Sequence, residues 1–174
     1  MARSICIALA GDIEDMIREI PLPLLPRLWS SLGPHLERAL RRHPFLDLEG
    51  LQWLAFNGRA YIIAVLDGDR IAGVIALDIQ QYPKKRIGNV LALGGEIGSL
   101  ERFSDEVESF LLQWCRENSL DSLGMLGRPG WSKYLARRGW HVQPIICAWK
   151  DVLCTSRKFQ PMAILPSQTE AVVQ

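Results

Sequence analysis

The densest chemistry in this 174-residue sequence lies in the stretch "GGEIGS", Gly94 to Ser99. Three glycines within five positions, Gly94, Gly95 and Gly98, can turn backbone N–H groups toward one point and form an anion-binding concavity. Glu96 inside the run, with Asp105 and Glu106 just beyond it, opposes that use. Two like charges about 5 Å apart repel by roughly 3 kcal/mol at an effective dielectric near ~20. Asp105 and Glu106 also have an ordinary reason to be there, because carboxylates favour the first turn of a helix. Glu96 and Asp78 are the two carboxylates open to acid–base work. Asp78 is the weaker of the two, since strand alternation is expected to turn it toward solvent.

Other chemistries lack their residues. His35, His43 and His141 form no metal-ligand pattern, so no metal is expected, and His35 reads as a surface residue at a helix start. Cys6, Cys115, Cys147 and Cys154 show no CxxC spacing; three sit in apolar runs and read as small, reduced core residues. No Ser-His-Asp or Cys-His arrangement suggests a nucleophilic mechanism. The formal charge is +1, and the basic groups at Arg41/Arg42, Lys84/Lys85/Arg86, Arg137/Arg138 and Arg157/Lys158 are scattered. A nucleic-acid partner is therefore not expected. No apolar run approaches the ~18 residues a membrane helix needs, and no signal peptide is visible, so a cytosolic setting is the expectation.

The elements that must hold these residues follow from local pattern. Ser4–Leu9 reads as a strand, followed by a helix from Asp12 to about Ile20. Leu24 to Leu32 has helical spacing, and Gly33-Pro34 is expected to break and restart the helix. Asp47 caps a further helix carrying Leu48, Leu51 and Leu54. Then "AYIIAVL" (60–66), a turn at Asp67-Gly68, "RIAGVIALDIQQY" (70–82), a turn at Pro83 and "RIGNVLALGG" (86–95) predict a three-strand antiparallel meander. A helix from 104 to 118 follows, with Ser104 as its cap and Val107, Phe110, Leu111, Trp114 and Cys115 as its buried stripe. A short strand ("SLGMLG"), a short helix ("PGWSKYLARR") and a last strand ("WHVQPIICAWK") complete a domain over 1–150. The order predicts an α/β fold with a mixed sheet covered by helices on both faces. Residues 151–174 read as an extended tail, whose Phe159, Met162, Ile164 and Leu165 are expected to dock on a partner protein, on another copy or on the domain itself.

Within "GRPGWSKYLARRGW" (127–140), Pro129 sits just inside a helix start and Gly139 just past its end. That segment, the element order, "PHLERAL" (34–40) and "YPKKRIGNVLALGG" (82–95) resemble the GNAT acyltransferase fold, and more narrowly the GNAT-like proteins of tailed bacteriophages. The resemblance covers about residues 4 to 150 and implies an acyl-CoA donor, such as acetyl-CoA. The donor's pyrophosphate would rest on N–H groups at the start of the long helix, where Gly94, Gly95 and Gly98 lie. The family's (Gln/Arg)-x-x-Gly-x-(Gly/Ala) motif finds no register here. The family's acid, a tyrosine four residues before the Gly of Gly-aromatic, would fall at Leu135. Tyr134 lies one residue earlier, a rotation of ~100° about a helix. Glu96 stands where some members hold a base. The resemblance thus implies a phage-type protein with a degenerate acyl-CoA site and a virion-associated or assembly role, in the host cytoplasm or the virion. The alternative is an active N-acyltransferase in which an amine attacks the thioester directly, with Glu96 as base and Tyr134 as acid.

Overall fold

The computed structural model describes residues 16–41, 43, 45–96, 98, 102–127 and 129–143. The expected strand Ser4–Leu9, residues 144–150 and the tail with Phe159, Met162, Ile164 and Leu165 lie outside them. By packing, the chain divides into two compact units, Met1–Trp131 and Ser132–Gln174, and the sheet lies in the first.

Five strands form one sheet in the order β1 (Ile17–Glu19), β2 (Tyr61–Asp67), β3 (Arg70–Gln81), β4 (Arg86–Gly95) and β5 (Ser122–Met125). The first three pairings are antiparallel, and β4 with β5 is parallel. A parallel neighbour needs a crossover, which the helix α3 (Ser104–Glu117) supplies. The other helices are α1 (Leu25–Leu40), α2 (Leu48–Phe56) and α4 (Pro129–Arg137). A 3-10 turn at Leu22–Leu24 leads into α1.

Alternation along the strands builds two cores. On one face Ile62, Ala64, Ile71, Val74, Ala76 and Ala92 pack with Leu25, Leu28, Leu32, Leu36 and Leu51 of α1 and α2. On the other, Ile63, Val65, Ala72, Ile75, Leu77 and Val90 pack with Val107, Leu111, Trp114 and Cys115 of α3. Because β3 is covered on both sides, its residues Ile71 to Leu77 are all buried. The expected stripe of α3 is the one observed, with Phe110 at its edge. Burial pushes the Cys115 thiol up, as suits an inert core residue.

Four local expectations are corrected. Residues 17–19, expected in a helix, pair with β2 as an edge strand, and Ile17 enters the α3-side core. Tertiary pairing there outweighs a weak helical pattern. Pro34 does not break α1, which runs through it. The N–H that Pro34 lacks would have bonded Ser30, and both residues are exposed, so the freed carbonyl meets water. A proline costs about 3 kcal/mol inside a helix, whereas each of the five buried leucines at 25, 28, 32, 36 and 40 contributes about 2 kcal/mol. Ser104 is the first helical residue of α3 rather than its cap, and Phe103 takes the cap position without a side-chain bond. The Asp47 cap forms as expected and accepts the Gly50 N–H at 2.7 Å. Trp140 to Gln143 carry no strand.

Candidate functional site

The functional geometry centres on β4. Ala76 of β3 faces Ala92 and Leu77 faces Val90, so Leu91 is an extra residue, a β-bulge. On its other edge β4 pairs with β5 only from Ile87↔Ser122 to Val90↔Met125. Bulge and end of pairing coincide. From Leu91 to Gly95 no described strand lies along the outer edge of β4. Alternate N–H and C=O groups on that stretch therefore point outward, free of a ladder partner among the described residues. Such an edge can receive an extended ligand.

Past the C-terminal end of β4, beside the β2–β3 turn, side chains from five parts of the chain meet. Asp67 ends β2 and Arg70 begins β3; the turn between them places Gly68 at φ +59°, a conformation suited to glycine. Arg102, just ahead of α3, bonds the Asp67 carboxylate, and Arg70 lies 3.7 Å from Asp67 and 4.0 Å from Glu96. The Arg102 hydrogen bond, aided by the charge of Arg102 and then Arg70, holds Asp67 below the usual carboxylate range. Arg102 also lies 4.2 Å above the Phe103 ring. His35 of α1 completes the group. It is half-buried rather than a surface residue, and burial holds its imidazole below the ordinary value while Glu96 pulls it upward.

The glycines here do different work. A Cβ on Gly94 would lie 1.8 Å from the His35 backbone oxygen, so Gly94 lets α1 approach β4. Gly94 and Gly95 also belong to the ladder, opposite Val74 and Gly73. The Glu96 N–H donates to the Ala72 carbonyl at 2.9 Å. Gly98 takes φ +80° with open space around it. Asp105 and Glu106 occupy the first turn of α3. Of the expected cradle, Gly98 alone has no packing or ladder duty evident among the described contacts. Within the expected cradle, Gly94 seats the α1 backbone and the Glu96 N–H is taken by Ala72.

Two other candidates fall elsewhere. Asp78 does not turn to solvent: it follows Ala76 by two on the α1/α2 face of the sheet and is half-buried. Tyr134 of α4 is exposed, with the Arg138 guanidinium 5.5 Å from its ring centre. The Gly139 φ of +82° confirms the expected glycine stop of that helix. Among the described residues no group of three His, Cys, Asp or Glu side chains could hold a metal, and no helix is long and apolar enough to cross a membrane. Sequence reading missed His35, Asp67, Arg70 and Arg102 as neighbours of Glu96. The only local signal was the Asp67-Gly68 turn, which sets Asp67 opposite Arg70.

No protein-family model matches the chain, and no curated protein is significantly similar to it in sequence. Solved structures do match. An aminoglycoside acetyltransferase from an uncultured soil metagenomic sample, in complex with sisomicin, superposes with a TM-score of 0.59 at 17% identity, covering 80% of this chain and 99% of that one. A predicted acetyltransferase with acetyl-CoA from Clostridium acetobutylicum gives 0.57 at 12% identity, covering 77% and 94%. Glucosamine-6-phosphate N-acetyltransferase from Arabidopsis thaliana gives 0.54 at 12% identity, covering 77% and 96%. At these identities the likeness establishes the fold: this is the GNAT acetyltransferase fold, a five-strand mixed sheet flanked by helices.

Proposed function

We propose that the protein is a GNAT-fold binding component with a degenerate acyl-CoA site, serving in a phage virion or in its assembly. The observation that carries the first half is the state of the expected phosphate cradle. Gly94 accommodates the α1 backbone, the Glu96 N–H is spent on Ala72, and two carboxylates lead α3. An anion placed there would find the Glu96 N–H already taken and would face the carboxylates of Glu96, Asp105 and Glu106. The second half rests on the resemblance of "YPKKRIGNVLALGG" and "GRPGWSKYLARRGW" to phage proteins, with Phe159, Met162, Ile164 and Leu165 of the tail as partner contacts.

The test is an acetyl-CoA titration followed by calorimetry and thermal shift. No binding at millimolar ligand is expected. A micromolar Kd would add about 2.7 kcal/mol of apparent stability at a hundredfold excess and would overturn the degenerate-site reading. For the assembly role, removing residues 152–174 is expected to abolish association with the partner or a second copy while the domain stays folded. Normal association by the truncated chain would count against it.

A second reading is an active acyl-CoA N-acyltransferase, with Glu96 as base and Tyr134 as acid. It is favoured by the outer edge of β4 beyond the Leu91 bulge, along which no described strand lies. In that reading Glu96→Gln lowers turnover with an amine acceptor, provided the titration first shows donor binding.

A further inference from the structure

The helix α2 carries apolar residues on every side, yet the fold buries only part of them. Leu48, Leu51, Trp53, Leu54, Ala55 and Phe56 together cover the whole turn about its axis. A helix that is apolar all round belongs inside a protein. Of these residues only Leu51 and Ala55 are buried, while Leu48, Leu54 and Phe56 pack at the margin of the α1-side core. Phe56 meets Trp29 edge to face, with ring centres 5.5 Å apart. Trp53 takes the remaining side and is 37% exposed. Further exposed apolar groups stand at both ends of the helix. Phe45, just ahead of it, is 65% exposed. Leu22 is 47% exposed and lies beside Gly58, where an added methyl would meet the Leu22 Cδ2 at 3.7 Å.

Two charges frame Trp53. Glu49, one turn earlier, is exposed on the same side. Arg59, beyond the helix end, sets its guanidinium 5.8 Å from the Trp53 ring centre. None of the ion pairs among the described residues involves either charge. Tryptophan and arginine are the residues that most often carry the energy of an interface. The arrangement is also self-complementary. A second copy turned about a two-fold axis through Trp53 sets the two α2 helices antiparallel. The acid-bearing start of each helix then meets the arginine-bearing end of the other. An acidic partner helix would answer Arg59 but repel Glu49, and a basic one would do the reverse. Only a partner with both charges in reversed order answers both, and a copy of this chain is such a partner.

We propose that α2 is the interface of a two-fold dimer, with Trp53 packed on its counterpart and Glu49 paired with Arg59 of the second copy in both directions. A stable interface buries about 1,600 Å² in total, and a ridge built on nine helical residues covers only part of that. The dimer is therefore weak, with a Kd of roughly 10–100 μM. Association seen well below that range belongs to another surface, such as the tail, so this contact stands or falls separately from the truncation test.

Sedimentation velocity on the full chain at rising concentration tests the proposal. Wild type is expected to pass from monomer to dimer over roughly 10–100 μM. Trp53→Ala is expected to weaken the dimer by about tenfold or more. Glu49→Arg and Arg59→Glu each set like charges against one another and are expected to stay monomeric over the same range. An equimolar mixture of these two variants carries both opposite pairs and is expected to dimerise again, which a misfolded variant cannot do. A wild type that stays monomeric throughout overturns the proposal and leaves the ridge to a different protein. So does a dimer that all three substitutions leave unchanged, which places association elsewhere on the chain. A mixture no tighter than its components also overturns it, because Glu49 and Arg59 then do not pair across the axis.

Discussion

Two acidic places on the sheet meet different surroundings. At the C-terminal end of β4 the charges answer one another: Asp67 holds Arg102 and Arg70, Arg70 reaches Glu96, and α1 closes over Gly94 through the His35 backbone. In the middle of the β3–β4 pair, one oxygen of Asp78 is buried with no hydrogen-bond partner. The first arrangement is self-sufficient; the second leaves a buried acceptor unanswered. The lesson is that acidity alone does not mark function here. What distinguishes the two places is whether the chain itself supplies the partner.

The sharpest way to break the comparison is to add a methyl at each end. Gly94→Ala forces a Cβ against the His35 carbonyl, a backbone atom that cannot rotate away. It is expected to cost about 3 kcal/mol or to prevent folding, read as a fall in the denaturation midpoint. A change under about 1 kcal/mol would mean that α1 is not seated against β4 as described.

Acid titration probes the closed end next. Burial keeps the folded-state pKa of His35 below the unfolded value near ~6.5. The unfolded chain therefore takes up this proton first. The His35 contribution is complete above about pH 6.5 and is lost as pH falls through the lower folded-state value. His35→Gln is expected to flatten this part of the stability–pH curve. An unchanged slope would show that the imidazole is solvated and that the closed end is looser than the geometry implies.

Smaller effects follow. Asp67→Asn removes two exposed ion pairs, so a slight loss of Tm is expected at low salt and none at 1 M sodium chloride. A salt-independent loss would point to a packing role instead. The smallest change belongs to Gly124→Ala, in the row of Asp78 and Asn89, expected to lie within about 0.5 kcal/mol of wild type because its Cβ meets one atom at ordinary contact distance. A large loss there would mean that the added methyl meets more than the Ile87 Cγ2.

Much of the fold was legible because its signals are local. β4 runs from Arg86 to Gly95 as the alternation and flanking turn require, Asp47 caps α2, and Gly139 ends α4 at positive φ. The errors arose where a local signal met a stronger distant one. Pro34 reads as a helix break until the leucine face of α1 is packed, and residues 17–19 read as helix until β2 offers a ladder. The site was less legible still. Glu96 and the glycines stand out in sequence, yet nothing in the spacing shows that Gly94 faces a helix backbone or that Asp78 looks toward α1 and α2.

The sequence by itself determined the element order, the meander boundaries and the apolar stripe of α3, because β-branched runs, turn residues and a 3.6-residue period act over a few neighbours. Tertiary structure decided the rest. It ended the β4–β5 pairing at Val90, joined His35, Asp67, Arg70, Glu96 and Arg102 from five separate segments, and left one Asp78 oxygen, Oδ1, buried without a hydrogen-bond partner. Those outcomes depend on strand register and on which helix covers which face. A one-residue shift would reverse each of them, and no local signal encodes it.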